Sequence, residues 1–415
     1  MQETRRTVLK AFGSALAAGA VPRAFAQARP IRIGLGMALT GGIAANGKAA
    51  LMSIQMWQEE VNARGGIMGR PVELVYYDDQ SNPATVPGIY TKLLDVDKVD
   101  LLVSGYGTNL QAPAMPLMMQ RGMMFMGLFG LAVNDKFNYD RFFQIQPNGP
   151  NARIDFSKDF LDLAMTMNPK PTTIAIVGAD AEFPHIALDG ARENIKRMGL
   201  KTVYDKTYPP TTIDAAPIIR AIAATNPDIV FVASYPPDTV AMIRAAGEVQ
   251  LKAKIFGGGM IGLQFAALKT QLGPLLNNIV YYDINVPEPT MKFPGIEDFL
   301  TKYRVRAAKE GVDLLGLYLP PYAYAAMQIY EKAINDTKTL DNAKLAEHLH
   351  KASFETIVGK VQFAKNGEWD KSRILFVQFQ GVQGNDVEQF KLPGRQVILT
   401  PAQYKSGTFK YPYRA

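Results

Sequence analysis

From about residue 30 onward, the chain alternates between short apolar runs and longer stretches whose apolar positions recur every three or four residues. Ile31–Met37 is almost wholly apolar, as a strand buried on both faces requires. Leu39–Gly47 follows as a loop whose glycines let backbone N–H groups face outward. Gly47–Arg64 then reads as a helix, with Leu51, Ile54, Trp57 and Val61 on one stripe and Gln58, Glu59 and Asn62 opposite. Arg64-Gly65-Gly66 ends it, because glycine takes the left-handed cap at no steric cost. A second strand at Val72–Tyr77 runs into Asp78-Asp79, which completes a βαβ unit. The loop at the carboxyl end of its first strand is where open α/β sheets bind ligands.

The same rhythm predicts strands at Asp100–Ser104, Met123–Gly127 and Phe142–Ile145, with helices at Asn82–Val96 and Leu110–Gln120. A second series has strands at Thr173–Gly178, Lys201–Tyr208, Asp228–Ser234, Lys254–Gly257 and Ile279–Tyr282. Its helices lie near Asn151–Met167, Pro184–Met198, Ala215–Thr225 and Pro237–Val249. The expected fold class is α/β, with two doubly wound, Rossmann-like lobes in tandem and the change of lobe between Ile145 and Asn151. The last third breaks the pattern. It predicts helices at Gly295–Gly311, Pro320–Thr337 and Asn342–Ala352, a hairpin turn at Phe363–Trp369 and a strand at Ile374–Gln380.

Residues 1–26 have a different character and read as an export signal. Thr4-Arg5-Arg6-Thr7-Val8-Leu9-Lys10 matches the twin-arginine pattern, a short Ala/Gly-rich apolar region follows, and Ala24-Phe25-Ala26 fits a small-x-small cleavage site. Those residues hold four basic groups and one acidic group, so cleavage would lower the formal charge from +7 to +4. That mild, dispersed surplus gives no nucleic-acid footprint. The signal's apolar region is too short to span a bilayer, and no run of roughly 18 apolar residues occurs elsewhere. Cysteine is absent, which excludes disulfides, thiolate metal sites, thiol nucleophiles and a lipobox anchor. The expected product is a chain of about 389 residues, exported and soluble, with two or three domains resting on their own cores.

Taken in order, Leu39–Gly47, Asn62–Pro71, Tyr77–Pro83, Leu101–Gly105 with Ala112-Pro113-Ala114, Ala175–Val177 and Asn226–Val230 resemble the leucine/isoleucine/valine-binding class of extracytoplasmic solute-binding proteins of ABC importers, the type I periplasmic binding proteins. The resemblance spans residues 30–415. It implies two lobes joined by a three-segment hinge, which close over a solute like jaws and dock on the importer's membrane subunits. Carried over, lobe one would be 30–146 plus 284–357 and lobe two 147–283 plus 358–385, with the tail 386–415, including Tyr411-Pro412-Tyr413, returning to the hinge.

The resemblance also implies site residues. Thr108 and Asn109 stand where the family holds a carboxylate with hydroxyls and N–H groups, a geometry that also serves plain helix capping. Phe129 and Leu131 replace polar contacts after the fourth strand, and Asn46 occupies a position held by a bulky aromatic in some relatives. In lobe two, Phe183 and Tyr235 match the family's aromatic positions. Amino-acid binders place a carboxylate after the next strand to pair with the ligand's ammonium. Here that stretch is Gly257–Gly262, with Gly259 and Met260 as its candidate contacts. A buried ammonium without a counter-charge is costly. The expected ligand is therefore a small amphipathic solute, a carboxylate with an apolar or aromatic body ahead of an amino acid, for which Asp180, Glu182 or Asp238 would have to supply the counter-charge although none stands at the matching position.

Other classes find less support. Gly42–Ala49 nearly matches a phosphate loop, but Ala49 stands where magnesium needs a hydroxyl. Asp78 and Asp79, adjacent at a strand end, point to opposite sides and make a poor chelating pair. They are expected to cap the next helix and fix the loop. His185, His348 and His350 offer neither metal spacing nor a triad, and no nucleophile elbow occurs, so no metal, cofactor or catalysis is expected. A monomeric importer subunit is the leading expectation, a subunit feeding a periplasmic sensor the alternative, and an exported enzyme the remote one.

Overall fold

The computed structural model describes residues 29–210, 212 and 214–414; the export signal predicted at 1–26 lies outside the described residues. The first unit is built from β1 (Ile31–Met37), α1 (Ala44–Ala63), β2 (Val72–Asp78), α2 (Val86–Asp95), β3 (Leu101–Val103), α3 (Thr108–Gln111), α4 (Met115–Arg121), β4 (Phe125–Gly127), α5 (Val133–Phe137) and β5 (Phe142–Gln144). Its five strands form one parallel sheet in the order β2-β1-β3-β4-β5. The stripe predicted on α1 is buried, Ile54, Trp57 and Val61 completely.

Two local readings change. Leu110–Gln120 is not one helix, because Pro113 and Pro116 lack the N–H that a continuous ladder needs. A 3₁₀ turn at Ala112–Ala114 therefore separates α3 from α4. The first helix begins at Ala44, ahead of the expected start at Gly47, so Gly47 lies inside α1. A Cβ there would overlap the Ala38 carbonyl, so its role is close helix–strand packing.

The second unit contains α6 (Ala152–Ala164), β6 (Thr173–Ala179), α7 (Glu182–Met198), β7 (Lys201–Tyr208), α8 (Ala216–Ala223), β8 (Ile229–Ser234), α9 (Pro236–Glu248), β9 (Ile255–Met260), α10 (Ala266–Leu272) and β10 (Val280–Asp283). The chain then returns to the first unit through α11 (Ile296–Glu310), α12 (Leu319–Thr337), α13 (Asn342–Lys351) and the hairpin β11 (Ser353–Thr356)–β12 (Gly359–Gln362). Tyr330 on α12 donates to the Leu102 carbonyl at 2.7 Å, and the Trp57 indole donates to Glu331 at 3.0 Å, which clamps α12 onto the five-stranded sheet.

Finally, β13 (Leu375–Phe379) and β14 (Gln396–Thr400) extend the second sheet to seven strands, ordered β14-β13-β10-β9-β8-β6-β7, with β13 antiparallel to both neighbours. The tail expected at the hinge divides its role. Gly394 and Tyr404 do contact the 284–293 crossing, through Glu288 and Thr290. Tyr413 instead packs on Phe256 (ring centroids 4.9 Å apart), and its N–H donates to Ala253 and Lys254 at the base of the second sheet. The apolar Tyr413 ring is buried there, which takes Tyr411–Tyr413 away from the crossings.

Arg373 pins the crossings together. Its N–H donates to Pro147 at 2.9 Å, and its guanidinium reaches the Tyr322 hydroxyl at 3.0 Å, which in turn donates to Ile284 at 3.1 Å. The guanidinium also stacks on Trp369, 4.7 Å from the ring centroid, whose indole donates to Ile145 at 2.9 Å.

Candidate functional site

The carboxyl ends of both sheets converge on a small cavity of about 30 Å³. Its floor on the first unit comes from the β3–α3 turn, Tyr106-Gly107-Thr108, and from the loop after β4, Phe129-Gly130-Leu131. Gln146 on the first crossing and Tyr318, just before α12, close the sides. The second unit contributes Phe183 at the start of α7, Tyr235 after β8 and Ile261 after β9. None of these lining side chains carries a charge.

Each wall is braced. Thr108 is buried, and its hydroxyl oxygen accepts the Leu131 N–H at 2.9 Å, which leaves the hydroxyl proton free to donate. Gly107, at φ +100°, allows the sharp entry into α3, and its N–H is held by the Phe129 carbonyl at 2.7 Å. Phe129 meets Tyr318 edge-on with centroids 4.9 Å apart, and Phe183 meets Tyr235 at 5.8 Å. Gln146 donates to the Tyr282 hydroxyl at 2.8 Å, and that hydroxyl lies 3.3 Å from the Tyr318 hydroxyl. The Tyr235 hydroxyl is buried and, among the described residues, has no partner in hydrogen-bond geometry. Burial raises its pKa well above the ordinary phenol value, so the group is a neutral donor.

Of the residues singled out in the sequence, Thr108, Phe129, Leu131, Phe183 and Tyr235 line the cavity together. Four others stand outside its wall. Asn46 adjoins the Tyr106 hydroxyl from behind, and Asn109 turns its Oδ1 toward Gly107. Gly259 and Met260 are strand residues, because β9 runs three residues beyond the predicted end at Gly257. The absence of side chains at Gly258 and Gly259 lets the Phe231 and Phe156 rings lie directly against the strand. The position after β9 is therefore Ile261, which is apolar like the glycine-rich stretch it continues.

Tyr106, Gln146 and Tyr318 were missed. Tyr106 had a signal, since it sits between β3 and α3, but Tyr318 comes from a segment about two hundred residues away in sequence and had none. Asp78 fixes the first loop as expected, accepting from Leu39 and Thr40 at 3.0 and 3.2 Å. The cap of the next turn is Asn82, not the aspartates.

Beneath Tyr235, Asp238 accepts the Tyr235 N–H at 2.9 Å and the Tyr208 hydroxyl. Burial pushes its carboxyl up to about 6. The folded chain thus holds this proton more tightly than the unfolded one. The stabilisation is complete below about pH 4 and is lost as pH rises through about 6. Asp238→Asn cannot titrate. Its stability relative to the parent should improve by about 2 kcal/mol between pH 4.5 and pH 7, read from urea unfolding at both values. An unchanged difference would show that Asp238 does not titrate as its burial requires.

Comparison with known proteins places this geometry among relatives. A family model described as periplasmic binding protein matches residues 30–382. A Leu/Ile/Val-binding protein homolog 7 from Brucella abortus is 22% identical over 384 residues, covering 88% of this chain and 92% of that one. Among solved structures, a putative branched-chain amino acid ABC transporter protein from Silicibacter pomeroyi has a TM-score of 0.74 at 22% identity, covering 92% of this chain and 100% of its own. A solute binding protein of an ABC transporter from Rhodopseudomonas palustris, solved with p-hydroxybenzoic acid, has a TM-score of 0.74 at 19% identity, covering 90% of this chain and 98% of its own. At these identities the structural likenesses speak for the two-lobed fold.

Proposed function

This chain belongs to the periplasmic binding protein family, and from that premise we propose that it captures a small carboxylate with an aromatic or apolar body and delivers it to the membrane subunits of an ABC importer. The observation that carries the reading is the cavity's lining, which contains hydroxyls, an amide and aromatic rings but no charged side chain. An ammonium buried there would find no carboxylate partner. A carboxylate would find donors: the Thr108 hydroxyl and the Tyr235 hydroxyl, which has no partner among the described residues, one from each lobe. Phe129 and Phe183 would flank the ligand's body. The p-hydroxybenzoic acid held by the Rhodopseudomonas relative agrees with that chemistry.

Capture works by hinge closure. The present cavity of about 30 Å³ is far smaller than the cavity of roughly 150 Å³ that holds a benzene ring. Ligand must therefore enter with the lobes parted, and only a molecule contacting both lobes favours their return. The chain works outside the cytoplasm, after export through its twin-arginine signal, and it catalyses nothing. The test is a thermal-shift series on protein unfolded and refolded to strip carried ligand. Aromatic and aliphatic carboxylates should raise Tm, since ligand at a hundred times Kd adds about 2.7 kcal/mol. A response to leucine and valine alone would sink the reading.

A further inference from the structure

Beside the hinge, the second crossing, α11 and the tail line another pocket, of about 240 Å³. Val286, Leu300, Leu317 and Pro393 give it an apolar wall. Four charged side chains at its edge already have partners. Lys292 pairs with Glu297 at 3.6 Å and Lys391 with Glu388 at 2.6 Å, while Glu288 accepts the Gly394 N–H at 2.7 Å. Arg304 differs from all of them. Its Nε donates to the Leu315 carbonyl at 3.2 Å, but among the described residues no carboxylate lies within ion-pair distance of its guanidinium. Its terminal nitrogens make no hydrogen bond to the described protein.

A guanidinium in partial burial without an anion is an unfavourable arrangement. Its pKa is lowered, with desolvation the largest cause, and the acidic groups around it offset this only in part. Arg304 stays charged at any relevant pH and presents a planar fork matched to an oxyanion. We propose that this hinge pocket is a second ligand site, in which Arg304 holds a small oxyanion, a carboxylate or a phosphate, with room for a short apolar body against Leu300 and Leu317. The site is separate from the cleft, and because α11 belongs to the first lobe and Lys391 to the tail of the second, its occupant touches both sides of the hinge.

Trifluoroacetate, followed by ¹⁹F NMR on the whole chain, is a suitable probe because it carries both the oxyanion and a short apolar body. Saturable binding that Tyr235→Phe in the cleft leaves unchanged is expected in the parent, with at least a tenfold loss of affinity in Arg304→Gln and partial retention in Arg304→Lys. Loss in Tyr235→Phe with none in Arg304→Gln would assign the signal to the cleft and overturn the proposal. Matching Tm values across the three would exclude a folding defect. Displacement by acetate assigns a carboxylate site and displacement by phosphate a phosphate site. Equal binding by Arg304→Gln, displacement by chloride at the same ionic strength, or no saturable binding in the parent would each overturn the proposal.

Discussion

Tyr235→Phe should weaken capture of an aromatic carboxylate about tenfold to a hundredfold while leaving the ligand-free protein as stable as before, or slightly more so. The two effects have different origins. In the ligand-free chain the Tyr235 hydroxyl is buried without a partner among the described residues, so removing it relieves a desolvated polar group. In the complex the same hydroxyl would donate to a carboxylate, an interaction of about 1.5–3 kcal/mol, and each 1.4 kcal/mol is roughly a factor of ten in Kd. The ring remains, so contact with Phe183 is preserved. Titration calorimetry and thermal unfolding on the same samples give both numbers. A loss of stability with no loss of affinity would mean that Tyr235 serves the fold alone.

Gly257→Ala should cost about 3–5 kcal/mol of stability. Gly257 sits at φ +148° in β9, a conformation unfavourable to any side chain, opposite Val280 in the parallel register with β10. A Cβ there would overlap the Val280 carbonyl oxygen, and a β-ladder has no spare width to absorb it. Gly42→Ala is the natural control, because nothing lies within 4 Å of its would-be Cβ. That change should stay within about 0.5 kcal/mol. Similar costs at both positions in urea unfolding would refute the steric account of β9.

These two residues show where the sequence was readable. Tyr235 was picked out by the family resemblance, which places an aromatic there, and it stands at the carboxyl end of a strongly apolar strand, where open α/β sheets bind ligands. The parallel strands, with continuous apolar runs bounded by turns, were legible for the same reason, and Lys201–Tyr208 has its predicted bounds. Gly257–Met260 was not legible, since three glycines ordinarily mark a loop. Here they are a strand made thin so that aromatic rings can lie against it. The hairpin at Ser353–Gln362 was missed because its tip is Ile357-Val358, apolar residues without turn chemistry. Both are buried, and the Ile357 N–H is held by Gln328 of α12 at 3.0 Å, so the tip is shaped by tertiary contact. The same holds for Tyr318. Its role depends on α12 returning to the first sheet, a long-range event that no local pattern encodes.

On the proposed function, the cleft accepts a carboxylate on an apolar body and has no partner for an ammonium. 3-Phenylpropanoate and L-phenylalanine differ in that ammonium alone, so titration calorimetry of the refolded chain with each isolates it. The lining described here predicts that 3-phenylpropanoate binds at least about ten times more tightly, because phenylalanine must bury an unpaired cation. Equal or tighter binding of phenylalanine would contradict it and would require a carboxylate to enter the cleft on closure.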